Sequence, residues 1–286
     1  MERESRTVGV VGLGTMGSGI AQVCVQAGFR TIGVEVEESL CERARERIAH
    51  YLSRGVEKGR LTGEERDAAL ARLETSTDRS ALAGCDVAVE AIVEDLDAKR
   101  ELFGELDAIV EPSALLATNT SALPVTEIAR STAHPERVVG LHFFNPAPVL
   151  PLVEVVRTEL VADEAYERAY AFAGALGKEP VRCSDTPGFV VNRILIPLLN
   201  DCVRLIAGAG VTPEDLDRAM RFGLSWPIGP CALIDLIGVD IHVHASEALY
   251  RALGEDRMAP PARLIEMERA GELGRKTGRG FFSYES

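Results

Sequence analysis

The chain has 286 residues, of which 46% are hydrophobic and 26% charged, so it is long enough for two domains with buried cores. Its 31 basic and 44 acidic residues give a net charge of −13, which argues against a general nucleic-acid-binding protein. No apolar run approaches the roughly 20 residues of a membrane span, and the charged N-terminus leads directly into a strand. The six cysteines show neither a CxxC pair nor metal-ligand spacing. We therefore expect a cytoplasmic globular protein with reduced, mostly buried thiols, no metal site, no nucleic-acid partner and no membrane association.

The stretch VGVVGLGTMGSGIAQ near the N-terminus has the order strand, tight turn, helix that opens a dinucleotide-binding unit. Gly12 allows the turn, Gly14 lets a pyrophosphate approach the backbone, and Gly17 lets the helix pack closely on the strand. The amides at the helix start, those of Thr15 and Met16 among them, are placed to hold phosphates. A glycine triplet alone is weak evidence, because such turns also serve simple strand–helix packing.

The next strand, TIGVE, ends in a carboxylate that strengthens this interpretation. Glu35 follows Gly12 by 23 residues, close to the spacing at which an acid binds the adenosine ribose. Glu35 would accept hydrogen bonds from both ribose hydroxyls and repel a 2′-phosphate, so NAD is favoured over NADP. The alternative is a solvated loop acid, which the neighbouring Glu37 and Glu38 keep open.

Residues 39–73 are expected to form a helical hairpin inserted into this domain. Ser39-x-x-Glu42 and Thr62-x-x-Glu65 have the pattern of capping boxes, each of which would open a helix. One face of the first helix is basic and carries Arg43, Arg45, Arg47 and Arg54. Such a face is usually just solvated, and it becomes a binding surface only if an anion requires it.

Apolar strands and helical segments then alternate along the chain. The expected strands are residues 86–92, 114–119, 137–143 and 152–156, and the expected helices are 94–110, around 125–130 and 163–176. A short strand-like stretch, PVRCS, follows. Alternation of this kind indicates parallel β units. We therefore predict an α/β fold over residues 1–185, with a Rossmann-type, doubly wound, mainly parallel sheet that binds NAD.

The pattern changes at Thr186, and residues 186–286 are expected to form an all-helical domain. Thr186 followed by Pro187 resembles a helix cap, from which a long apolar helix would run to Gly208 with a kink at Pro197. Further helices are expected from Thr212, over residues 231–253 and over residues 261–270. The apolar character of residues 189–206 suggests burial against a neighbouring subunit.

Three side chains in the first domain form a candidate catalytic set. Ser121 follows one predicted strand and His142 ends the next, and ligands of parallel sheets bind beyond the carboxyl ends of the strands. A histidine there can accept the proton of an alcohol. Glu154 lies inside an apolar strand, where an ionised carboxylate needs a partner, and His142 is the nearest candidate. The alternative for Glu154 is an edge-strand residue that faces water.

The fourth candidate lies in the C-terminal domain. Asn192 interrupts the apolar run FVVNRILI and is better explained by a hydrogen bond to a ligand than by packing. His242 and His244 lie close together but have no third metal ligand, so they are interpreted as structural or surface residues, as are His50 and His134.

Taken together, these motifs resemble the L-3-hydroxyacyl-CoA dehydrogenase family, in particular its single-function bacterial members, the 3-hydroxybutyryl-CoA dehydrogenases. The resemblance covers nearly the whole chain. It rests on GLGTMGSGIAQ, NTSAL, GLHFFNPAPV, LVEVV, DTPGFVVNRIL, WPIGP and GRKTGRGFF. The implied reaction is the reversible oxidation of an (S)-3-hydroxyacyl-CoA, of short chain, to the 3-oxoacyl-CoA. The implied assembly is a homodimer formed through the helical domain.

The resemblance also implies roles for individual residues. The catalytic histidine, its orienting glutamate, the hydroxyl-binding serine and the asparagine near the substrate carbonyl match His142, Glu154, Ser121 and Asn192. Beside the glycine turn, the implied cofactor contacts are Glu35, Glu94, Lys99, Asn119, Asn145 and Lys276. The phosphates of coenzyme A would lie on the basic helix, near Ser53, Arg54 and Lys58. Many relatives have a lysine where this chain has Pro151, which leaves the fine substrate preference open.

Two other functions remain open at this stage. The λ-crystallin and gulonate dehydrogenase relatives share these motifs and oxidise a sugar acid without coenzyme A, although the basic helix favours coenzyme A. A nucleotide-binding protein that has lost catalysis is the second alternative, and the intact catalytic set argues against it. A multifunctional oxidation enzyme is excluded for this chain, because 286 residues leave no room for a hydratase domain.

Overall fold

The structure is a computed structural model in which residues 7–284 are described. It divides into two compact units, Met1–Thr186 and Pro187–Ser286. The N-terminal unit contains the strands β1 Thr7–Val11, β2 Arg30–Val34, β3 Leu73–Ser76, β4 Val87–Glu90, β5 Leu115–Thr118, β6 Val138–Phe143, β7 Leu152–Arg157 and β8 Glu179–Ser184. Its helices are α1 Thr15–Gln26, α2 Glu38–Glu57, α3 Gly63–Leu70, α4 Leu96–Ile109, α5 Val125–Ala129 and α6 Asp163–Ala175.

These strands form one sheet of eight in the order β3-β2-β1-β4-β5-β6-β7-β8. Neighbouring strands are parallel except for β6 and β7, which are antiparallel. The predicted Rossmann-type, mainly parallel sheet is confirmed. The strand β3 was not predicted, because its sequence LETS is short and three of its four residues are polar.

Helices cover the centre of the sheet on both faces, which explains why the central strands β1, β4, β5 and β6 are almost continuously apolar and buried. Successive residues of β5 show the alternation: Leu115 and Ala117 pack in the cluster that contains Ile20, whereas Leu116 packs with Phe103 on the opposite face. Both faces are therefore closed, and polar side chains at the carboxyl ends of the strands lie at the open edge.

The helical hairpin has the predicted order of helices, but one of the two predicted capping boxes is wrong. Thr62 and Glu65 form a capping box at the start of α3, as predicted. The predicted box of Ser39 and Glu42 is wrong, because α2 starts at Glu38 with no side-chain cap. The Ser39 hydroxyl instead donates to the carboxylate of Glu37, at 3.3 Å, and does not cap a backbone amide.

The C-terminal unit consists of the helices α7 Val191–Ala209, α8 Pro213–Gly223, α9 Pro230–Ile237, α10 Val239–Leu253 and α11 Ala262–Arg269. The predicted helix start at Thr186 is wrong. Gly188 and Phe189 have φ values of +77° and +47°, in the left-handed region, so the chain turns before α7 begins. The predicted helix over residues 231–253 is also interrupted, because Gly238 has a φ of +107° and separates α9 from α10.

The core of the C-terminal unit includes a polar cluster that was not predicted. Asn200 is fully buried in α7, where its Oδ1 lies 2.9 Å from Nε2 of His242 and its Nδ2 donates to the carbonyl of Met258. Around it pack apolar side chains of α7, α9, α10 and α11, among them Leu199, Ile234, Val243 and Leu264. Asn200 therefore ties three segments of this unit together.

The prediction of mostly buried cysteines is confirmed, since all are buried except the half-buried Cys183. Burial raises the pKa of Cys24 to about 12, so its thiol stays protonated and unreactive. Within residues 7–284, no helix combines the length and the apolar character that a membrane span requires.

Candidate active site

The glycine turn has the geometry of a dinucleotide cradle. Gly12 has a φ of +85°, and a Cβ there would lie 2.8 Å from the carbonyl oxygen of Ala91. A Cβ on Gly17 would collide with the carbonyl of Gly12, so helix and turn are in direct contact. At Gly14, in contrast, a Cβ would meet no atom within 4 Å. The backbone at Gly14 is therefore open for a pyrophosphate, and this chain fits a dinucleotide cofactor here.

Glu35 is held against this turn. One carboxylate oxygen accepts a hydrogen bond from the amide of Leu13 at 2.6 Å, and the other accepts from the amide of Val36 at 3.1 Å. Its neighbours Glu37 and Glu38 are exposed, whereas Glu35 is half-buried. A carboxylate oriented in this way still has lone pairs for the hydroxyls of a ribose. Glu35 is therefore not a freely solvated loop acid.

His142 and Glu154 form a buried pair across the antiparallel strands β6 and β7. They are direct partners in the strand register, and Nδ1 of His142 lies 2.7 Å from Oε2 of Glu154. Glu154 is 0% exposed and His142 is 6% exposed. The water-facing alternative for Glu154 is wrong, because β8 covers the other side of β7. A carboxylate in this position can fix the orientation of the imidazole ring.

Ser121 lies just beyond the carboxyl end of β5, on a segment that is fixed by Glu94. One carboxylate oxygen of Glu94 accepts from the Ser121 amide at 2.9 Å, from the Thr120 hydroxyl at 2.6 Å and, more weakly, from the Ser121 hydroxyl at 3.4 Å. Asn119 accepts a hydrogen bond from the amide of Phe143, at 2.8 Å. Because β5 and β6 are parallel, Ser121 and His142 lie at the same edge of the sheet.

A buried ion pair lies beneath this edge. The ammonium of Lys99, which is 1% exposed, lies 2.5 Å from one carboxylate oxygen of Glu90 and 3.4 Å from Glu94. The other oxygen of Glu90 accepts from the hydroxyl of Thr118 at 2.6 Å. The Lys99 ammonium therefore lies in the interior, against Glu90 and Glu94, and is not at the surface. Glu90 was missed in the sequence, although it is an acid within an apolar strand, the signal that identified Glu154.

The remaining predicted site residues are distributed over both units. Thr15 and Asn145 line a cavity in the N-terminal unit, and Met16 packs partly against the core. Asn192 is half-buried in the first turn of α7. The Lys276 ammonium lies 2.5 Å from both carboxylate oxygens of Asp240 in the C-terminal unit.

The cavity in the N-terminal unit has a volume of about 660 Å³ and a basic wall. This wall is formed by a stripe of Arg47, Tyr51 and Arg54 on α2 that continues to Lys58 at the helix C-cap, together with the neighbouring Arg60. These helix positions follow the spacing i, i+4, i+7 and i+11, which places them on one face. Ser53 is not among the residues that line the cavity.

Arg47 connects this cavity to the glycine turn. Its guanidinium donates to the hydroxyl of Ser18 at 3.2 Å, and this hydroxyl donates to the carbonyl of Gly14 at 2.7 Å. In the sequence, Arg47 was only one member of a basic face, and no pattern distinguished it from Arg43, which does not line the cavity.

Comparison with known proteins assigns both units. Residues 7–186 match the family model "3-hydroxyacyl-CoA dehydrogenase, NAD binding domain", and residues 188–284 match "3-hydroxyacyl-CoA dehydrogenase, C-terminal domain". The cofactor of the N-terminal domain is therefore NAD.

Individual relatives match along their full length. The chain is 46% identical to a 3-hydroxybutyryl-CoA dehydrogenase of Mycobacterium tuberculosis, over 97% of this chain and 98% of the relative. It is 38% identical to the human mitochondrial hydroxyacyl-coenzyme A dehydrogenase, over 97% of this chain and 91% of the relative. The crystal structure of (S)-3-hydroxybutyryl-CoA dehydrogenase from Ralstonia eutropha superposes with a TM-score of 0.94 at 38% identity, covering 99% of this chain and 100% of that one. This chain belongs to the 3-hydroxyacyl-CoA dehydrogenase family.

Proposed function

We propose that the chain catalyses the reversible NAD-dependent oxidation of (S)-3-hydroxybutyryl-CoA, and of other short-chain 3-hydroxyacyl-CoA thioesters, to the 3-oxoacyl-CoA. The observation that carries this proposal is the buried contact of 2.7 Å between His142 and Glu154 at the ligand edge of the sheet. The names of the M. tuberculosis and R. eutropha relatives support the four-carbon substrate.

In this proposal, His142 accepts the hydroxyl proton of the substrate on the imidazole nitrogen opposite Nδ1. Bound NAD supplies the acceptor for the hydride that leaves C3. Glu154 keeps the imidazole oriented and stabilises the positive charge that the proton brings. Ser121 holds the reacting oxygen, and Asn192 holds the thioester carbonyl.

The cofactor is proposed to bind along the glycine turn, with Gly14 beneath the pyrophosphate and Glu35 on the adenosine ribose. Further contacts are assigned to Thr15, Met16, Glu94, Asn119, Asn145 and Lys276. The role of Lys99 is modified, because its ammonium lies on Glu90 and Glu94. Lys99 is proposed to position Glu94 and not to bind the cofactor itself.

Coenzyme A is proposed to place its phosphates on the basic wall of the cavity. Arg54 and Lys58 retain the role inferred from the resemblance, and Arg47 and Arg60 join them because they line the same space. Arginine is suited to phosphate, since its planar donors bind two oxygens together. Ser53 is the weakest member of the original set, because it lies off the stripe.

A homodimer formed through the helical unit is also proposed. Its support is a set of large apolar side chains that the single chain leaves exposed on α7 to α10: Ile194, Leu205, Phe222, Leu236 and Ile241. Phe222→Asp should yield a monomer in light scattering, whereas Val181→Asp in the N-terminal unit should leave the assembly unchanged. The cytoplasmic location stays a prediction.

The function is tested by mixing the protein with NADH and acetoacetyl-CoA and following the loss of NADH. Rapid oxidation of NADH with the thioester, and little with acetoacetate or with NADPH, is the expected result. Reduction of NAD by L-gulonate without activity on the thioester would favour the sugar-acid alternative. Inactivity with both substrates would favour the nucleotide-binding alternative.

A further inference from the structure

Part of the cavity wall is formed by one loop between β6 and β7. Five consecutive residues of this loop, 145–149, line the cavity. The loop directly follows the strand that carries His142 and precedes the strand that carries Glu154. The position of this loop therefore determines part of the shape of the cavity. The loop also connects the strands that carry the two proposed catalytic residues.

The side chain of Lys178 holds this loop from one side. Lys178 follows α6, and its ammonium donates to the carbonyl of Ala147 at 2.5 Å and to the carbonyl of Leu150 at 2.9 Å. The next amide, that of Glu179, donates to the carbonyl of Pro151 at 2.8 Å. Two consecutive residues, Lys178 and Glu179, thus bind three backbone carbonyls in the connection between β6 and β7.

Lys178 is an unusual residue for a merely structural contact. It is only 9% exposed, and the acceptors that the structure gives its ammonium are two backbone carbonyls. Burial lowers the pKa of its ammonium, which reflects the cost of keeping a charge in this place. Two carbonyl acceptors, those of Ala147 and Leu150, offset part of that cost.

Gly19 holds the loop from the other side. A Cβ on Gly19 of α1 would lie 3.2 Å from Cδ of Pro148 and 3.3 Å from Cβ of Ala147. The loop therefore rests directly on the helix that starts at the glycine turn, and a side chain there would displace it by a few tenths of an ångström. The loop is clamped between Gly19 and Lys178.

We propose that Lys178 is a positioning residue for the nucleotide end of the acyl-CoA substrate, because it fixes the loop 145–149 against α1 and so preserves the cavity. This inference rests on the proposed function. A loop that is ordered before binding loses little conformational entropy when the ligand binds. Removing the Lys178 contact should therefore weaken binding of the part of the substrate that enters the cavity.

The test compares two thioesters that share the reacting end. Acetoacetyl-CoA contains the nucleotide, and acetoacetyl-pantetheine lacks it. With NADH saturating, Lys178→Met should lower kcat/KM for acetoacetyl-CoA about tenfold and change that for the truncated thioester less than about twofold. Arg182→Met serves as the matched control, because it removes a positive charge from β8 that pairs with Glu167. It should leave both values unchanged.

Gly19→Ala provides a second, independent variant in case Lys178→Met does not fold. It should produce the same selective loss by displacing the loop from the other side. An equal loss with both thioesters in a folded variant, or no loss with either, would overturn the role of Lys178. If the unsubstituted enzyme does not distinguish the two thioesters, the coenzyme A assignment itself falls, which is a separate outcome.

Discussion

Glu154 lies directly opposite His142 in the only antiparallel strand pair of the described sheet, and its carboxylate is 2.7 Å from Nδ1 of the imidazole. The reversal of β7 is what makes this contact possible. A parallel β7 would require a crossover connection, whereas the antiparallel strand returns through the short loop that also lines the cavity. One turn of the chain thus connects the proposed base, its carboxylate and the substrate cavity.

Glu154→Gln should lower kcat by about a hundredfold or more, because the amide keeps the shape of the pair and removes the charge that stabilises the imidazolium. Steady-state assays with NADH and acetoacetyl-CoA measure this effect. Binding of NADH, followed by fluorescence, should change little. A variant with more than half of the original kcat would contradict the role of Glu154.

Glu35→Gln should reduce the preference for NADH over NADPH at least about tenfold, as the ratio of kcat/KM values. The amide can still accept from the Leu13 amide, but it no longer repels a 2′-phosphate. Glu38→Gln on the neighbouring exposed position is the control and should keep the original ratio. An unchanged ratio in Glu35→Gln would remove Glu35 from cofactor selection.

Arg54→Met should lower kcat/KM for acetoacetyl-CoA about tenfold, since a charge-assisted hydrogen bond to phosphate contributes about 1.5–3 kcal/mol. Arg43→Met is the matched control, because Arg43 lies on the same helix and does not line the cavity. Equal effects of the two substitutions would show that the helix acts through its total charge and not through the cavity.

Acidification from pH 7.5 to 5 should destabilise the C-terminal unit through His242. Burial lowers the pKa of His242 to about 4, below the value of about 6.5 in an unfolded chain. The stabilising contribution of the neutral imidazole is therefore complete above about pH 6.5 and is lost as the pH falls toward 4. At pH 5 this loss amounts to about 2 kcal/mol.

Urea denaturation, followed by the fluorescence of Trp226, measures this free energy of unfolding. His242→Gln should show a smaller decrease in stability between pH 7.5 and 5 than the original chain, by about 2 kcal/mol. The same pH dependence in both proteins would contradict the assignment to His242. Trp226 lies in the same unit as His242, so its fluorescence reports on the unfolding of that unit.

Local sequence patterns were sufficient to predict most of the fold and the site residues at the ends of strands. The glycine turn, the position of Glu35 and the pairing of Glu154 with His142 could be predicted, because each depends on spacing or on a charge in an apolar strand. Glu90 shows the same signal and was missed, since its partner Lys99 appeared to be a cofactor contact.

Other features depend on contacts between distant segments and could not be predicted. The clamp on the loop 145–149 joins Gly19 and Lys178, and neither residue has a neighbour in sequence that indicates the contact. The start of α7 was predicted too early, because Thr186 and Pro187 resemble a cap, and the left-handed backbone at Phe189 leaves no trace in its residue type. The position of β3 depends on its parallel pairing with β2.

His142 is proposed to transfer the substrate proton, and this role is tested by the rate of NADH oxidation with acetoacetyl-CoA by the original chain and by His142→Gln. The substitution keeps the size of the side chain and removes its titration. If His142 has this role, kcat decreases by at least about a thousandfold, with NADH affinity within about twofold of that of the original chain. A His142→Gln enzyme with near-original kcat would contradict it.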